Sequence, residues 1–231
     1  IVRAKTVAVL LGPSGIGLLS VLNNLCEMAS MSAGLGQTSS GVRELSAAKG
    51  EAETLSRVRR VLFGALAIQG AIAMVLIWLA RETLALRLLG STDYSLEVGL
   101  VGVAVFLFLV SGSQSALLQG LRRIGDLGRV TVWGTLLGTV AGLMPVIVLG
   151  RDGLIALILL PPTISIFVAW HYTRRLPAPT TTRMTPQEIW QAWRPMVKLG
   201  VVFMLGGLAT TGTLLLVRAR ITQELGLDAA G

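Results

Sequence analysis

Two short cationic segments near opposite ends of the 231-residue chain have nearly the same sequence. They are Val2-Arg3-Ala4-Lys5, which leads to Gly12, and Val217-Arg218-Ala219-Arg220, which leads to Gly226. Cations within apolar membrane helices are uncommon and usually functional. Arginine suits phosphate oxygens, because its planar guanidinium donates two hydrogen bonds at once. Arg3, Lys5 and Arg218 are therefore candidate ligands for an anion in a membrane cavity. A structural alternative is that Arg3 and Lys5 lie near the outer interface and extend to the lipid headgroups.

Glu27 is a candidate of the opposite charge. It lies in the middle of an apolar stretch, beside Cys26 and one turn from Asn23. A carboxylate at this depth should face protein or water rather than lipid. Glu27 could bind a coupling cation, Na⁺ or H⁺, or it could form a purely structural ion pair with Arg3 or Lys5.

The composition excludes several other classes of protein. Hydrophobic residues make up 53% of the chain and charged residues 14%, with a mean hydropathy of +0.73, whereas soluble domains carry roughly 25% charged residues. The single cysteine excludes a disulfide scaffold. The net charge of +8 is divided among short clusters between apolar runs, which indicates membrane topology rather than a nucleic-acid partner. His171 has no metal-ligand spacing and no Ser/His/Asp set is visible, so we expect a transporter rather than an enzyme, with no cofactor other than a coupling ion.

Apolar segments of membrane-spanning length occur at six places, which predicts an all-α polytopic membrane bundle. A span of the hydrocarbon core needs about 20 helical residues. Residues 1–12 resemble the end of a further helix, TM1 of the bundle. The six predicted spans are 15–36, 61–80, 98–118, 130–149, 153–170 and 196–217.

The connections between these spans differ in charge. Residues 41–60, 119–129 and 171–198 carry thirteen of the twenty lysines and arginines, and the alternate connections carry five. Because cytoplasmic loops of membrane proteins are enriched in Lys and Arg, this first set is predicted to be cytoplasmic. The first predicted helix and the last span then run from inside to outside.

The longest connection predicts a boundary between two lobes. We expect residues 1–176 to form a first transmembrane lobe, 177–195 a cytoplasmic loop that contains a short interfacial helix, and 196–231 the first helix of a second lobe. Six helices separate the two cationic segments, so both segments run in the same direction, as in a parallel duplication. Both ends of the sequence look cut, and the chain is expected to be part of a larger protein.

Smaller motifs predict local structure. Residues 12–17 should form a turn between two helices, and residues 151–153 a tight turn that makes a helical hairpin. The prolines inside spans favour bends, and the intramembrane glutamines suit interhelical hydrogen bonds. Small residues allow close contact between helices. The prolines expected to bend their helices are Pro145, Pro161 and Pro162. The glutamines are Gln69, Gln114 and Gln119, and the small residues expected to allow close packing are Gly64, Gly70, Gly102, Gly134, Gly138 and Gly142.

Four segments together resemble the O-antigen flippases, in the polysaccharide-transporter branch of the MOP superfamily. They are 3–17 (RAKTVAVLLGPSGIG), 41–45 (GVREL), 119–127 (QGLRRIGDL) and 224–231 (ELGLDAAG). The last resembles the outer turn after the seventh helix. The resemblance implies a MOP-type transporter with twelve helices in two lobes around a central cavity. Arg3 matches the position of a first-helix arginine that lines a cationic cavity in related lipid-flipping members.

The same resemblance implies the substrate and the place of action. Such proteins move undecaprenyl-diphosphate-linked oligosaccharide, an O-antigen or similar repeat unit, across the bacterial inner membrane by alternating access during lipopolysaccharide biosynthesis. Membrane lipids, a polysaccharide polymerase and chain-length machinery are the expected partners. Alternatives that stay open are a cation-coupled multidrug or metabolite antiporter of the same superfamily, a subunit of a membrane-embedded glycosyltransferase, and a non-transporting scaffold.

Overall fold

The computed structural model describes residues 2–176 and 184–230, and throughout these ranges every regular element is a helix. Side chains are described for all of these residues except 2–8, 10, 11, 210, 211, 214, 215, 218, 223 and 225–230. The α-helices are α1 (Val2–Gly34), α2 (Gln37–Ala47), α3 (Ala52–Leu79), α4 (Arg81–Leu89), α5 (Ser95–Gly120), α6 (Ile124–Leu149), α7 (Ala156–Thr173) and α8 (Pro186–Ala230). Short 3₁₀ turns, Thr92–Tyr94 and Gly150–Gly153, precede α5 and α7.

Five helical segments in the described ranges are long and apolar enough to cross a membrane. They are Ala52–Leu79, Thr92–Gly120, Ile124–Gly153, Ala156–Thr173 and Pro186–Ala209. Each overlaps a predicted span, so the prediction of a multi-pass helical membrane bundle is confirmed. The span predicted at 15–36 is also helical as far as Gly34. It is not among the five segments.

The turn predicted at residues 12–17 is reduced to one residue. Gly12 has a φ of 67° and a ψ of −166°, and the chain is helical on both sides of it. Pro13 explains the break, because the proline ring disfavours a helical conformation in the preceding residue. The corresponding Gly226 of the second cationic segment lies inside α8, so residues 224–230 of the outer turn expected at 224–231 are helical instead. Leu227 follows Gly226, and no proline interrupts the helix there.

The hairpin predicted around residues 151–153 is confirmed as an antiparallel pair of α6 and α7. Gly134 approaches Ser165, Gly138 approaches Pro161 and Gly142 approaches Leu157, so each step of four residues along α6 matches a step back along α7. A Cβ atom added at Gly138 would lie 2.5 Å from the Cα of Pro161. Glycine therefore sets how closely the two backbones approach. Both helices continue through their prolines.

Helices α3 and α5 form a second close pair. A Cβ at Gly70 would lie 3.1 Å from the Cα of Phe106, and one at Gly102 would lie 2.9 Å from the carbonyl oxygen of Met74. The packing role predicted for these two glycines is thus confirmed. Gly64 is different, since a Cβ added to this residue would have no atom within 4 Å. The prediction of helix packing at Gly64 is wrong, because this glycine faces open space.

The short interfacial helix expected around residues 187–193 is not separate from the following span. One helix, α8, begins at Pro186 and continues through Pro195. Its start has a reciprocal cap, because Thr185 Oγ1 accepts from the Glu188 N–H at 3.3 Å and Glu188 Oε2 accepts from the Thr185 N–H at 2.8 Å. A proline in the first position of a helix sacrifices no internal hydrogen bond. The loop residues 177–183 lie outside the described part of the chain.

The arginine-rich connections lie together at one end of the bundle, called the basic end below. Gly120 at the end of α5 lies against Leu45 of α2, and Arg57 of α3 forms an ion pair with Glu188 of α8 at 3.5 Å. At the opposite end, Arg151 contacts Tyr94 through its guanidinium. The alternation of loops used to predict the topology therefore agrees with the packing of the helices.

Candidate functional site

A cleft that contains several polar side chains lies beside Glu27, between α1, the start of α2 and α5. Its volume is about 490 Å³. We call it the Glu27 cleft. Its polar lining consists of Asn23, Cys26, Glu27, Ser30, Thr38 and Ser39, and its apolar and glycine lining of Met31, Phe108, Leu109, Gly34, Gly36 and Gly112. A cavity with this many hydroxyl and carboxylate oxygens is unusual within an apolar bundle, since polar groups inside a membrane are expensive unless they serve a site or a pathway.

The spacing of residues along α1 places the polar groups on one face. Asn23, Glu27, Ser30 and Gly34 follow each other at intervals of four, three and four residues, the spacing that brings side chains onto the same side of a helix. The opposite side of α1 is apolar, with Leu18 and Leu22 fully buried. The buried leucines hold α1 in the bundle, and this contact turns the polar stripe towards the cleft.

A sharp corner after α1 brings in the remaining hydroxyl groups. Leu35 and Gly36 both have positive φ, 47° and 63°, so the chain changes direction between α1 and α2. Thr38 and Ser39 follow in the first turn of α2 and line the cleft. Gly112 of α5 makes room for this turn, because a Cβ there would lie 3.4 Å from Thr38 Oγ1. The corner therefore adds two hydroxyl groups to the lining that α1 alone could not supply.

Glu27 is exposed to the cleft rather than buried in the helix contact. Asn23 on the same face donates from Nδ2 to the Leu19 carbonyl at 2.8 Å, which directs its amide along its own helix. Within the described side chains, no cation forms an ion pair with Glu27. A carboxylate and several hydroxyl oxygens around one small space form a donor set that suits a hard cation or a proton. An ion pair with Arg3 or Lys5 stays open, because their side chains are not described.

Helix α8 packs on the corner that forms one end of the cleft. The backbones of Gly36 and Gly200 touch so closely that a Cβ on either residue would overlap the other chain segment. Ser40 Oγ donates to the Met196 carbonyl at 2.7 Å, and Trp193 Nε1 donates to Gln37 Oε1 at 3.2 Å. The helix assigned to the second lobe by the sequence thus holds the α1–α2 corner through two hydrogen bonds and a glycine contact.

The three candidate cations lie outside the described side chains. The backbone of Arg3 and Lys5 belongs to the first turns of α1, and that of Arg218 belongs to α8. Their roles as anion ligands therefore stay predictions. The neighbouring Arg220 is described, and it forms an exposed ion pair with Glu224 at 2.7 Å, one helical turn away. Of the second cationic segment, Arg218 alone therefore stays a candidate.

Some polar residues have surroundings that the sequence did not predict. The side-chain oxygens of Gln69 and Gln114 are buried, and neither has a hydrogen-bond partner among the described residues. The interhelical bonds expected for these oxygens are thus not formed there, and both glutamines instead line cavities near the basic end.

Thr38 and Ser39 were also missed as lining residues of the Glu27 cleft. Only the corner at Leu35 and Gly36 could have indicated them, and a Leu-Gly pair is a weak turn signal.

Comparison with known proteins adds no relative. No family model, no curated protein and no solved structure matches the chain. The chemistry of the Glu27 cleft, the topology and the sequence motifs are therefore the basis for its function.

Proposed function

We propose that this protein is a transporter that moves a lipid-linked oligosaccharide across a bacterial inner membrane by alternating access, without covalent catalysis. The Glu27 cleft is the observation on which this proposal depends. A cavity of about 490 Å³ whose lining includes a carboxylate and several hydroxyl groups suits a transport pathway, whereas a scaffold has no need of one. Transport of this kind draws its free energy from unequal binding to two cavity orientations.

The substrate class is taken from the cationic segments and from the ordered resemblance to O-antigen flippases. An undecaprenyl diphosphate carries phosphate oxygens, which Arg3 and Arg218 could bind by paired hydrogen bonds. The proposed fold is of the MOP type, in which α8 is the first helix of a second lobe. The contact of α8 with the α1–α2 corner would then open, or act as a pivot, as the two lobes change orientation.

A second candidate function is favoured by one observation, the acidic character of the cleft. Glu27 and the surrounding hydroxyl groups would suit Na⁺, H⁺ or a cationic drug. The same groups would serve equally well as a coupling-ion site in a flippase. A cation-coupled antiporter of the same superfamily is therefore the runner-up. The two functions differ in the charge of their substrates. Competition between anionic and cationic ligands therefore distinguishes the flippase from the antiporter.

Reconstitution of the complete protein tests the proposed function. We expect proteoliposomes to move a fluorescent diphosphate-linked lipid sugar between leaflets faster than liposomes that lack protein. Polyprenyl diphosphate should compete with this movement, and a cationic dye should not. Movement no faster than in empty liposomes, under H⁺ and Na⁺ gradients of either direction, contradicts the flippase. Competition by the dye alone favours the antiporter.

Replacing Glu27 with glutamine is expected to reduce ion-driven transport at least about tenfold, since a charge-assisted contact is worth about 1.5–3 kcal/mol. Glutamine keeps the size of the side chain and removes its charge, so the fold should be preserved. The measurement is the initial transport rate as a function of Na⁺ concentration and of pH. Glu82→Gln, an exposed position on α4, is the matched control. An ion dependence that is the same in Glu27→Gln and in wild type would mean that Glu27 is only structural.

A further inference from the structure

Two cavities near the basic end lie on either side of the same arginine. One, of about 410 Å³, lies among α2, α3, α5 and α7, and the other, of about 500 Å³, lies between α3 and the start of α8. Arg60 and Gly64 of α3 line both cavities. Because these residues are one turn apart on α3, the helix forms a shared wall between the two spaces.

The polar part of this region is basic. Arg59 and Arg60 are both half-buried and line the first cavity, where Gln114 and Thr173 add an amide and a hydroxyl group. The second cavity contains Arg60 and the buried oxygen of Gln69. No carboxylate lines either cavity within the described residues. Two half-buried arginines that line the same cavity favour a phosphate group over a cationic or neutral ligand.

The remainder of both cavities is apolar. Phe63, Leu117 and Trp170 line the first, and Ala65, Ile68 and Trp193 line the second. Ile68 is 64% exposed, so the second cavity is open to the outer surface of the bundle. Apolar walls next to a pair of arginines match the two parts of an anionic phospholipid, an acyl chain below a phosphate headgroup.

We propose that Arg59 and Arg60 hold the headgroup of an anionic phospholipid at the basic end of the bundle, with its acyl chains in the two cavities that share Gly64. This site is separate from the Glu27 cleft and does not depend on the proposed transport function. The lipid belongs to the leaflet at the basic end, where positively charged residues near a membrane surface attract anionic lipids. It fills the two cavities lined by Arg60 and Gly64, and its phosphate lies beside the two guanidinium groups.

Native mass spectrometry of the purified complete protein tests this assignment with phosphatidylglycerol and phosphatidylcholine of identical acyl chains. We expect wild type to retain phosphatidylglycerol in preference to phosphatidylcholine. The double variant Arg59→Gln, Arg60→Gln should reduce this preference at least about tenfold, because each charge-assisted contact contributes more than a neutral one. Its matched control, Arg43→Gln with Arg129→Gln, removes two exposed arginines of the same end that line neither cavity, and should keep the preference.

A second variant leaves the charge unchanged. Gly64→Leu places a side chain in open space inside both cavities, since no atom lies within 4 Å of the added Cβ. This variant should lose phosphatidylglycerol while it folds normally. Gly128→Leu, which also meets no atom within 4 Å, should retain the lipid.

Three results overturn the proposal. They are a phosphatidylglycerol preference that survives both the double variant and Gly64→Leu, an equal loss in the control variants, and displacement of the lipid by inorganic phosphate or polyprenyl phosphate at equal concentration.

Discussion

Replacement of Arg3 by alanine is expected to abolish transport of a diphosphate-linked lipid, whereas replacement by lysine should retain part of it. Lysine keeps the positive charge but loses the planar fork that binds two phosphate oxygens at once. A loss that is complete with alanine and partial with lysine is the pattern expected if charge and geometry both contribute to binding.

The position of Arg3 along α1 supports a role inside the membrane. Arg3 lies nine positions before the break at Gly12, which corresponds to about 14 Å along the helix axis. If the break at Gly12 marks the outer interface, Arg3 lies about halfway through a hydrocarbon core that is about 30 Å thick. A guanidinium at that depth is costly unless it faces a polar cavity or a ligand. The alternative in which Arg3 contacts outer headgroups would require Gly12 to lie well outside the membrane.

The measurement is the rate at which the fluorescent lipid sugar moves between leaflets in proteoliposomes. Each rate is normalised to the amount of folded protein. Arg220→Ala is the matched control, because Arg220 is exposed and paired with Glu224 on α8. We expect this control to transport at the wild-type rate and Arg218→Ala to be impaired. Unchanged transport in Arg3→Ala would favour the headgroup contact. Unchanged transport in the double variant Arg3→Ala, Arg218→Ala would favour a scaffold.

The bundle and its hairpin could be predicted from the sequence, because hydrophobic length and loop charge are local properties. The turn at residues 151–153 is an example, since so few residues can join two spans only if the helices are neighbours. The contrast between Gly12 and Gly226 shows the limit of the repeat. The two segments match in their cations and glycine, but only the first has a proline after the glycine. Pro13 breaks the first helix, so two similar sequences adopt different backbone conformations.

The site was predicted less completely than the fold, because its lining is assembled by tertiary contacts. Glu27 could be identified from its depth in an apolar stretch, but Thr38 and Ser39 reach the cleft only through the corner at Leu35 and Gly36. Gly64 was assigned to helix packing from its residue type. The structure places it between two cavities, because whether a small residue allows a contact or leaves a space depends on the partner helix.

Gly138→Leu is expected to destabilise the hairpin of α6 and α7 strongly. A Cβ at this position would lie 2.5 Å from the Cα of Pro161 and 3.0 Å from its Cβ. These are backbone and ring atoms, which cannot move aside as the end of a flexible side chain could. The helices would have to separate, and the glycine contacts at residues 134 and 142 would loosen with them. Overpacking of this kind costs about 1–3 kcal/mol and occasionally more.

Thermal unfolding of the detergent-purified protein, followed by loss of the monodisperse fraction, measures this effect. Gly128→Leu makes the same substitution in the same helix, at a position where no atom lies within 4 Å of the added Cβ. Both variants lose the same glycine flexibility, so the difference between them isolates the contact of α6 with α7. We expect Gly138→Leu to unfold at a clearly lower temperature than Gly128→Leu, with Gly138→Ala between them. Equal unfolding temperatures for the two leucine variants would mean that the helices of the hairpin do not approach each other at Pro161.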